Sequence, residues 1–272
     1  MQQKLLTLLL AGMTLTTWAQ PKAAPLSPTY TEWHDLQVNE INRLKVHTDF
    51  FAYAPSELTD LSHLDKTKSR NFLSLDGEWK FNWVANADQR PVNFYKTDLD
   101  DASWKTMRMP GLWELNGYGD PVYLNDGFAW RGHFNQQPPA VPTKDNHVGS
   151  YRRIVEIPSD WDGKQVIAHF GSVTSNIYLY VNGRFVGYAE DSKIAAEFDI
   201  SPYLKKGKNL IAFQTFRWCD GSWCEDQDFW RLSGVARENF LYARPKQAHL
   251  DDIRVVADLD NDYRDGVLRV NP

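Results

Sequence analysis

The sequence predicts an all-β fold, a jelly-roll β-sandwich, on three observations. Short runs of alternating apolar and polar residues recur along the chain, and a period of two marks half-buried strands. No long amphipathic helical pattern interrupts them. Asn182-Gly183 stands between two apolar and aromatic runs, Ile177–Val181 and Arg184–Tyr188. A two-residue type I′ turn needs φ > 0 at both central positions, so Asn-Gly here signals a β-hairpin.

The elements follow in order. Met1-Gln2-Gln3-Lys4 is a short basic opening, Leu5–Leu15 is mostly apolar, and Thr17-Trp18-Ala19 fits a cleavage site before Gln20. Residues 1–19 therefore read as a signal peptide, and the mature chain is expected to be exported, to a periplasm or the cell exterior. The apolar stretch, interrupted by Thr and Gly, is short for a bilayer span. Residues 20–68 form a leader rich in Pro, Ala and Ser and then an irregular arm, with a short helix expected near Leu36–Asn42. Residues 69–244 hold the sandwich. Glu78–Trp83 alternates polar and aromatic side chains, and Tyr151–Ile157, Gln165–Phe170 and Asn209–Phe216 add strands. Asp199–Leu204 reads as a brief helical turn and Lys205–Lys208 as a tight turn. Arg244-Pro245-Lys246-Gln247 marks a boundary. In 245–272, Asp252–Leu259 and Gly266–Val270 alternate like the first strands of an immunoglobulin-like sandwich. Such a sandwich has about seven strands, so this second unit is expected to be incomplete.

Composition narrows the chemistry. The net charge is −5, and no block of Lys and Arg is long enough for a nucleic-acid or membrane footprint. Aromatic residues make up 14% of the chain, more than a small core needs, so some are expected on the surface for stacking. The histidines are scattered without metal-ligand spacing, and no phosphate-binding glycine loop is present. Cys219 and Cys224, the two cysteines, lie on one loop where export would permit a disulfide. Two separate thiols are the simpler reading. The stretch from Asp120 to Asn146 is long for a loop, and with Tyr123, Phe128, Trp130 and Phe134 it reads as functional.

The densest chemistry follows the Asn209–Phe216 strand. Arg217-Trp218-Cys219-Asp220-Gly221-Ser222 runs on through Glu225-Asp226-Gln227-Asp228-Phe229-Trp230-Arg231 to Ser233-Gly234. So many charged groups are not expected in a core unless paired, and Arg217 or Arg231 is the expected mate of Glu225, Asp226 or Asp228. Carboxylates that accept from vicinal hydroxyls, beside Trp faces that stack on C–H surfaces, suit sugar recognition. Read alone, Asp220 is an Asp-Gly turn and Asn125 a turn residue before Asp126-Gly127.

This run resembles the signature near the end of the N-terminal sugar-binding domain of large β-galactosidases in glycoside hydrolase family 2. Other landmarks occur in matching order: Ser74-Leu75-Asp76-Gly77-Glu78-Trp79-Lys80-Phe81, then Trp104 with Met109-Pro110-Gly111-Leu112-Trp113-Glu114. Gly117-Tyr118-Gly119-Asp120-Pro121-Val122-Tyr123-Leu124-Asn125, Val181-Asn182-Gly183-Arg184-Phe185-Val186-Gly187-Tyr188 and Glu197-Phe198-Asp199-Ile200-Ser201 continue the pattern. The segment Asp126-Gly127-Phe128-Ala129-Trp130 departs from it.

The resemblance implies the N-terminal part of an enzyme that hydrolyses terminal β-D-galactosides with retention. Its paired catalytic Glu residues would lie on a TIM barrel outside this span, so no residue here is expected to be catalytic. Two substrate contacts carry over: Asn125, on a loop that reaches a neighbouring barrel, and Asp220, which binds galactosyl hydroxyls and helps hold a monovalent cation. Mg²⁺ and Na⁺ are implied for the complete enzyme and no cofactor for this span alone. The implied partners are the β-galactoside, the enzyme's remaining domains and further copies in a homo-oligomer. The competing expectation is a stand-alone carbohydrate-binding module without chemistry.

Overall fold

The computed structural model describes residues 27–58, 64–125, 137–225 and 228–272. The expected signal peptide, Phe128, Trp130, Phe134 and Asp226 lie outside the described residues. Among those described there is no α-helix; the helical pieces are 3-10 turns of three or four residues between strands.

Two antiparallel sheets form the sandwich. The larger has seven strands, in the spatial order Glu40–Ile41, Arg184–Glu190, Asn176–Val181, Gly207–Phe216, Val148–Ile157, Gly77–Val84 and Lys105–Met109. The smaller runs Ala196–Asp199, Gln165–Phe170, Asn239–Arg244 and Phe72–Ser74. The expected hairpin forms with Val181 opposite Arg184. Asn182 and Gly183 take φ values of 51° and 80°, the positive values that the turn requires. Asn182 also clasps the next strand, since its Oδ1 accepts from the Leu210 amide at 3.0 Å.

Strand periodicity sorts the core into two layers. Ile177, Leu179 and Val181 pack between the sheets with Trp79, Phe81, Phe170, Phe198 and Phe213. The alternate residues Tyr178 and Tyr180 belong to a second cluster on the far side of the seven-stranded sheet, with Trp33, Phe94 and Phe216. Every residue of Asn176–Val181 is therefore buried, not only one face. Trp33 stacks on Phe216 with ring centroids 5.1 Å apart, and Tyr95 stacks on Tyr180 at 4.2 Å. Removing a buried ring of this size costs about 3–5 kcal/mol.

The short helix expected near Leu36–Asn42 does not form. The helical piece here is Glu32–His34, and Glu40–Ile41 instead joins the sheet, with Ile41 opposite Tyr188. A seven-residue helix gains little in isolation. Pairing satisfies the edge of Arg184–Glu190 and buries Ile41, which decides the outcome.

The arm continues onto the smaller sheet and ends in a clasp. Glu197, 7% exposed, accepts from His169 Nδ1 at 2.8 Å, His47 Nε2 at 2.9 Å and the Tyr242 hydroxyl at 3.0 Å. Burial alone would pull the His47 imidazole down, but the Thr48 carbonyl on one nitrogen and Glu197 on the other outweigh it and raise its pKa. Burial would likewise raise Glu197, but His169 and His47 outweigh it and hold the carboxyl below its ordinary range. The His47 contribution is complete below the ordinary imidazole value of 6.5 and is lost as pH rises through the elevated folded value. The Glu197 contribution is complete above 4.5 and is lost as pH falls through the depressed one.

After Arg244, the strands Arg254–Asp260 and Asp265–Asn271 form a hairpin. Val255, Leu259, Leu268 and Val270 on it are more than half exposed.

Two outcomes are expected. Urea unfolding should show Glu197→Gln destabilising the protein by about 1–3 kcal/mol near pH 5.5, where the clasp is complete, and by less near pH 8. Amides of Arg254–Asn271 should exchange with solvent faster than those of Asn176–Glu190, because a two-stranded ribbon is marginal in water. Equal protection would contradict this.

Candidate functional site

The site is built where the strand Gly207–Phe216 runs out. Its last ladder pair is Phe216 with Val148, and the Arg217 amide still donates to the His147 carbonyl at 2.8 Å. Asn146 then extends the pairing with its side chain, accepting from the Trp218 amide at 2.9 Å and donating to the Trp218 carbonyl at 3.0 Å. The 3-10 turn Asp220–Trp223 follows, with the Ser222 hydroxyl accepting from the Cys219 amide at 3.1 Å. Pairing carried past the strand end draws the loop inward. Arg217, Trp218, Cys219 and Asp220 are all buried, against the expectation that so charged a run stays out of the core.

Arg217 is partly satisfied by dipoles, its Nε being buried without a hydrogen-bond partner among the described residues. It donates to the Asp120 carbonyl at 3.0 Å and to His147 Nδ1 at 3.2 Å, and its guanidinium lies 5.1 Å from the Trp218 ring centre. Burial and the neighbouring Arg217 charge lower the His147 pKa, so the imidazole is neutral and its Nδ1 accepts. Among the described residues, Arg217 forms no ion pair with Glu225 or Asp228. Glu225 instead accepts from the Ser192 amide at 2.8 Å and its hydroxyl at 2.5 Å, and Asp228 accepts from the Tyr123 hydroxyl at 2.6 Å. Main-chain and hydroxyl donors at fixed positions win because they lie on the adjoining loops.

Asp120 belongs to the Gly117–Asn125 loop, so Arg217 ties together the two loops singled out in the sequence. A second tie is the pairing of Val122–Leu124 with Phe229–Arg231, which sets Tyr123 opposite Trp230 with ring centres 5.4 Å apart. Asn125 follows this strand and is exposed. Asp220 is 2% exposed. Their loops are brought together, but no hydrogen bond joins the two side chains.

The environment of Asp220 is unusual. Both of its carboxyl oxygens are buried and, the adjacent Glu190 carboxyl apart, have no hydrogen-bond donor among the described residues. Ligand atoms of Glu190, Cys219 and Asp220 lie within 4.8 Å of one another, and all three residues are buried. Burial, and beyond it the Asp220 carboxylate, push Glu190 up to about 8. It therefore carries a proton at neutral pH. Burial also raises the Cys219 thiol well above its usual range, and Cys219 and Cys224 are not joined in a disulfide. A thiol held protonated is a poor nucleophile.

Glu190 was not evident in the sequence as a site residue. The available signal is parity: it stands two residues after Tyr188 on one strand, hence on the same face, at a position where a charged residue is out of place. The Glu190–Asp220 pair does not have the geometry of a retaining glycosidase. Such carboxyls lie about 5–5.5 Å apart with the scissile bond between them. These two are closer and enclosed by protein.

Comparison with known proteins fixes the family. Residues 72–245 match the model of the glycosyl hydrolases family 2 sugar binding domain. A β-galactosidase of Priestia megaterium is 41% identical over 243 residues, covering 89% of this chain and 23% of that protein. A β-galactosidase of Lactobacillus delbrueckii subsp. bulgaricus is 38% identical over 236 residues, covering 87% of this chain and again 23% of the relative. This chain thus spans about a quarter of the length of these relatives. In fold it is similar to a β-glucuronidase of Bifidobacterium dentium, with a TM-score of 0.51 at 20% identity, over 71% of this chain and 33% of that one. The chain belongs to glycosyl hydrolase family 2 and carries that family's sugar binding domain.

Proposed function

We propose that this chain is the N-terminal part of an exported β-galactosidase that hydrolyses terminal β-D-galactosides with retention, and that its own role is to hold the galactosyl group. The catalytic carboxylate pair of this reading lies outside the 272 residues. The basic-then-apolar opening at Met1–Ala19 supports export.

One observation carries the substrate role. A buried carboxylate normally has donors, because leaving it without them costs several kcal/mol. Asp220 has only the adjacent Glu190 carboxyl among the described residues, so its oxygens keep acceptor capacity that suits a ligand bringing hydroxyl donors or positive charge. A sugar diol does the first, and Na⁺ would do the second, neutralising the carboxylate in a medium of low dielectric constant. Asp220 would hold that ion, with the neighbouring Glu190 carboxyl within reach as a second oxygen donor. Asn125 adds a neutral amide on the exposed rim, able both to donate and to accept. Tyr123 and Trp230, each about half exposed, offer ring faces beside it.

In the full-length protein carrying this segment, Asp220→Asn should lower kcat/KM for a chromogenic β-galactoside by about one to two orders of magnitude. The change keeps the shape but replaces charge-assisted bonds, worth roughly 1.5–3 kcal/mol, with neutral ones. Asn125→Ala should act in the same direction but more weakly. A result within twofold for Asp220→Asn would remove Asp220 from the substrate site. The 272-residue chain by itself should show no turnover. Exchanging choline for Na⁺ should lower the thermal midpoint of the wild type by a few degrees, in line with mass action, and leave that of Asp220→Asn unmoved.

A further inference from the structure

Apart from the adjacent Glu190 carboxyl, the Asp220 carboxyl makes no donor contact among the described residues, so its place is set by Glu190 and by the backbone on either side. Upstream, that backbone is fixed through Arg217 and Trp218. Downstream, the first tie is the Gly221 amide, which donates to Glu190 Oε2 at 3.2 Å. Glu190 is well anchored for the task. Its Oε1 accepts from the Tyr188 hydroxyl at 2.5 Å, and its own amide donates to the Asn39 carbonyl of the arm at 3.1 Å. It is 6% exposed, so water is not an alternative partner for the loop. Residue 221 must be small for this approach, because a Cβ there would sit 2.7 Å from Glu190 Oε2.

We propose that Glu190 is the positioning residue of the Asp220 loop: it holds the Gly221 amide so that the Asp220 carboxyl keeps one placement toward the sugar. The proposal rests on the reading of Asp220 as a sugar-contacting group. It makes a specific demand on residue 190. What is needed is an acceptor oxygen at the reach of a glutamyl side chain, not a negative charge. Gln meets that demand: its carbonyl oxygen takes the Gly221 amide, and its NH₂ turns to the oxygen of Tyr188. Asp keeps the charge but falls one methylene short. Ala removes the tie altogether. A role through charge, as a cation ligand, would rank the same substitutions the other way.

The test uses the full-length protein carrying this segment, with two readouts. The first is hydrogen exchange of the Gly221 amide. It should quicken about tenfold or more in Glu190→Ala and Glu190→Asp, the worth of one lost hydrogen bond, and stay near the wild-type rate in Glu190→Gln. The second is kcat/KM for a β-galactoside, which should fall about tenfold in Ala and Asp and recover to within about threefold in Gln. Combining Glu190→Ala with Asp220→Asn should cost little more than Asp220→Asn alone, since one acts through the other. Unchanged Gly221 exchange in Glu190→Ala would overturn the proposal. So would an active Asp variant beside a damaged Gln variant, or losses that multiply. Should Asp220→Asn prove as active as wild type, the sugar reading fails instead, and the exchange ranking still judges the role of Glu190 in holding the loop.

Discussion

The ladder between Gly207–Phe216 and Val148–Ile157 is the constraint on which the rest of the molecule depends. It runs in register from Gly207 opposite Ile157 to Phe216 opposite Val148, inside the seven-stranded sheet. Because both strands are held on both sides, neither can slip without turning its whole apolar face outward. The ladder therefore delivers residue 217 to one place. His147 and Asn146 carry the pairing past the strand end, and the next residues have no course but inward. Asp220 becomes buried as a consequence of strand register, not of its own preference.

Burying charge in this way has unequal outcomes for the two ions involved. Arg217 finds a carbonyl, an imidazole nitrogen, an indole face and the nearby charges of Glu114, Asp145 and Asp120, although its Nε has no hydrogen-bond partner among the described residues. Asp220 finds a second carboxyl. Removing an ion from water without compensation costs several kcal/mol, so this arrangement draws on stability supplied elsewhere. The two aromatic layers on the seven-stranded sheet are the evident source.

The N-terminal segment has a structural part in this. Trp33 closes the outer layer over Phe216, the residue just before the buried loop, and Asn39 fixes the amide of Glu190. Glu197 then binds the arm to the smaller sheet through His47. One continuous stretch thus braces the floor of the site and both sheets. Loss of the arm would reach Asp220 through packing and Glu190, without any direct contact.

Much of the fold was legible in the sequence because its signals are local. Asn182-Gly183 dictated the hairpin through backbone sterics, and the apolar runs Gln165–Phe170 and Ile177–Val181 marked strands that the structure reproduces to within a residue. The Asp220 and Asn125 loops could be picked out by motif. Their surroundings could not. The expected helix near Leu36–Asn42 gave way to an edge strand because only the folded sheet supplies the edge that Glu40–Ile41 completes. Glu225 bonds to Ser192 and not to Arg217, and Glu190 comes up against Asp220 across 30 positions of chain. Periodicity and turn chemistry are properties of neighbours in sequence, so the sequence by itself determined the strands and the hairpin. Burial and the partners of a charge depend on what the sheet brings beside it, and only the tertiary structure decided those.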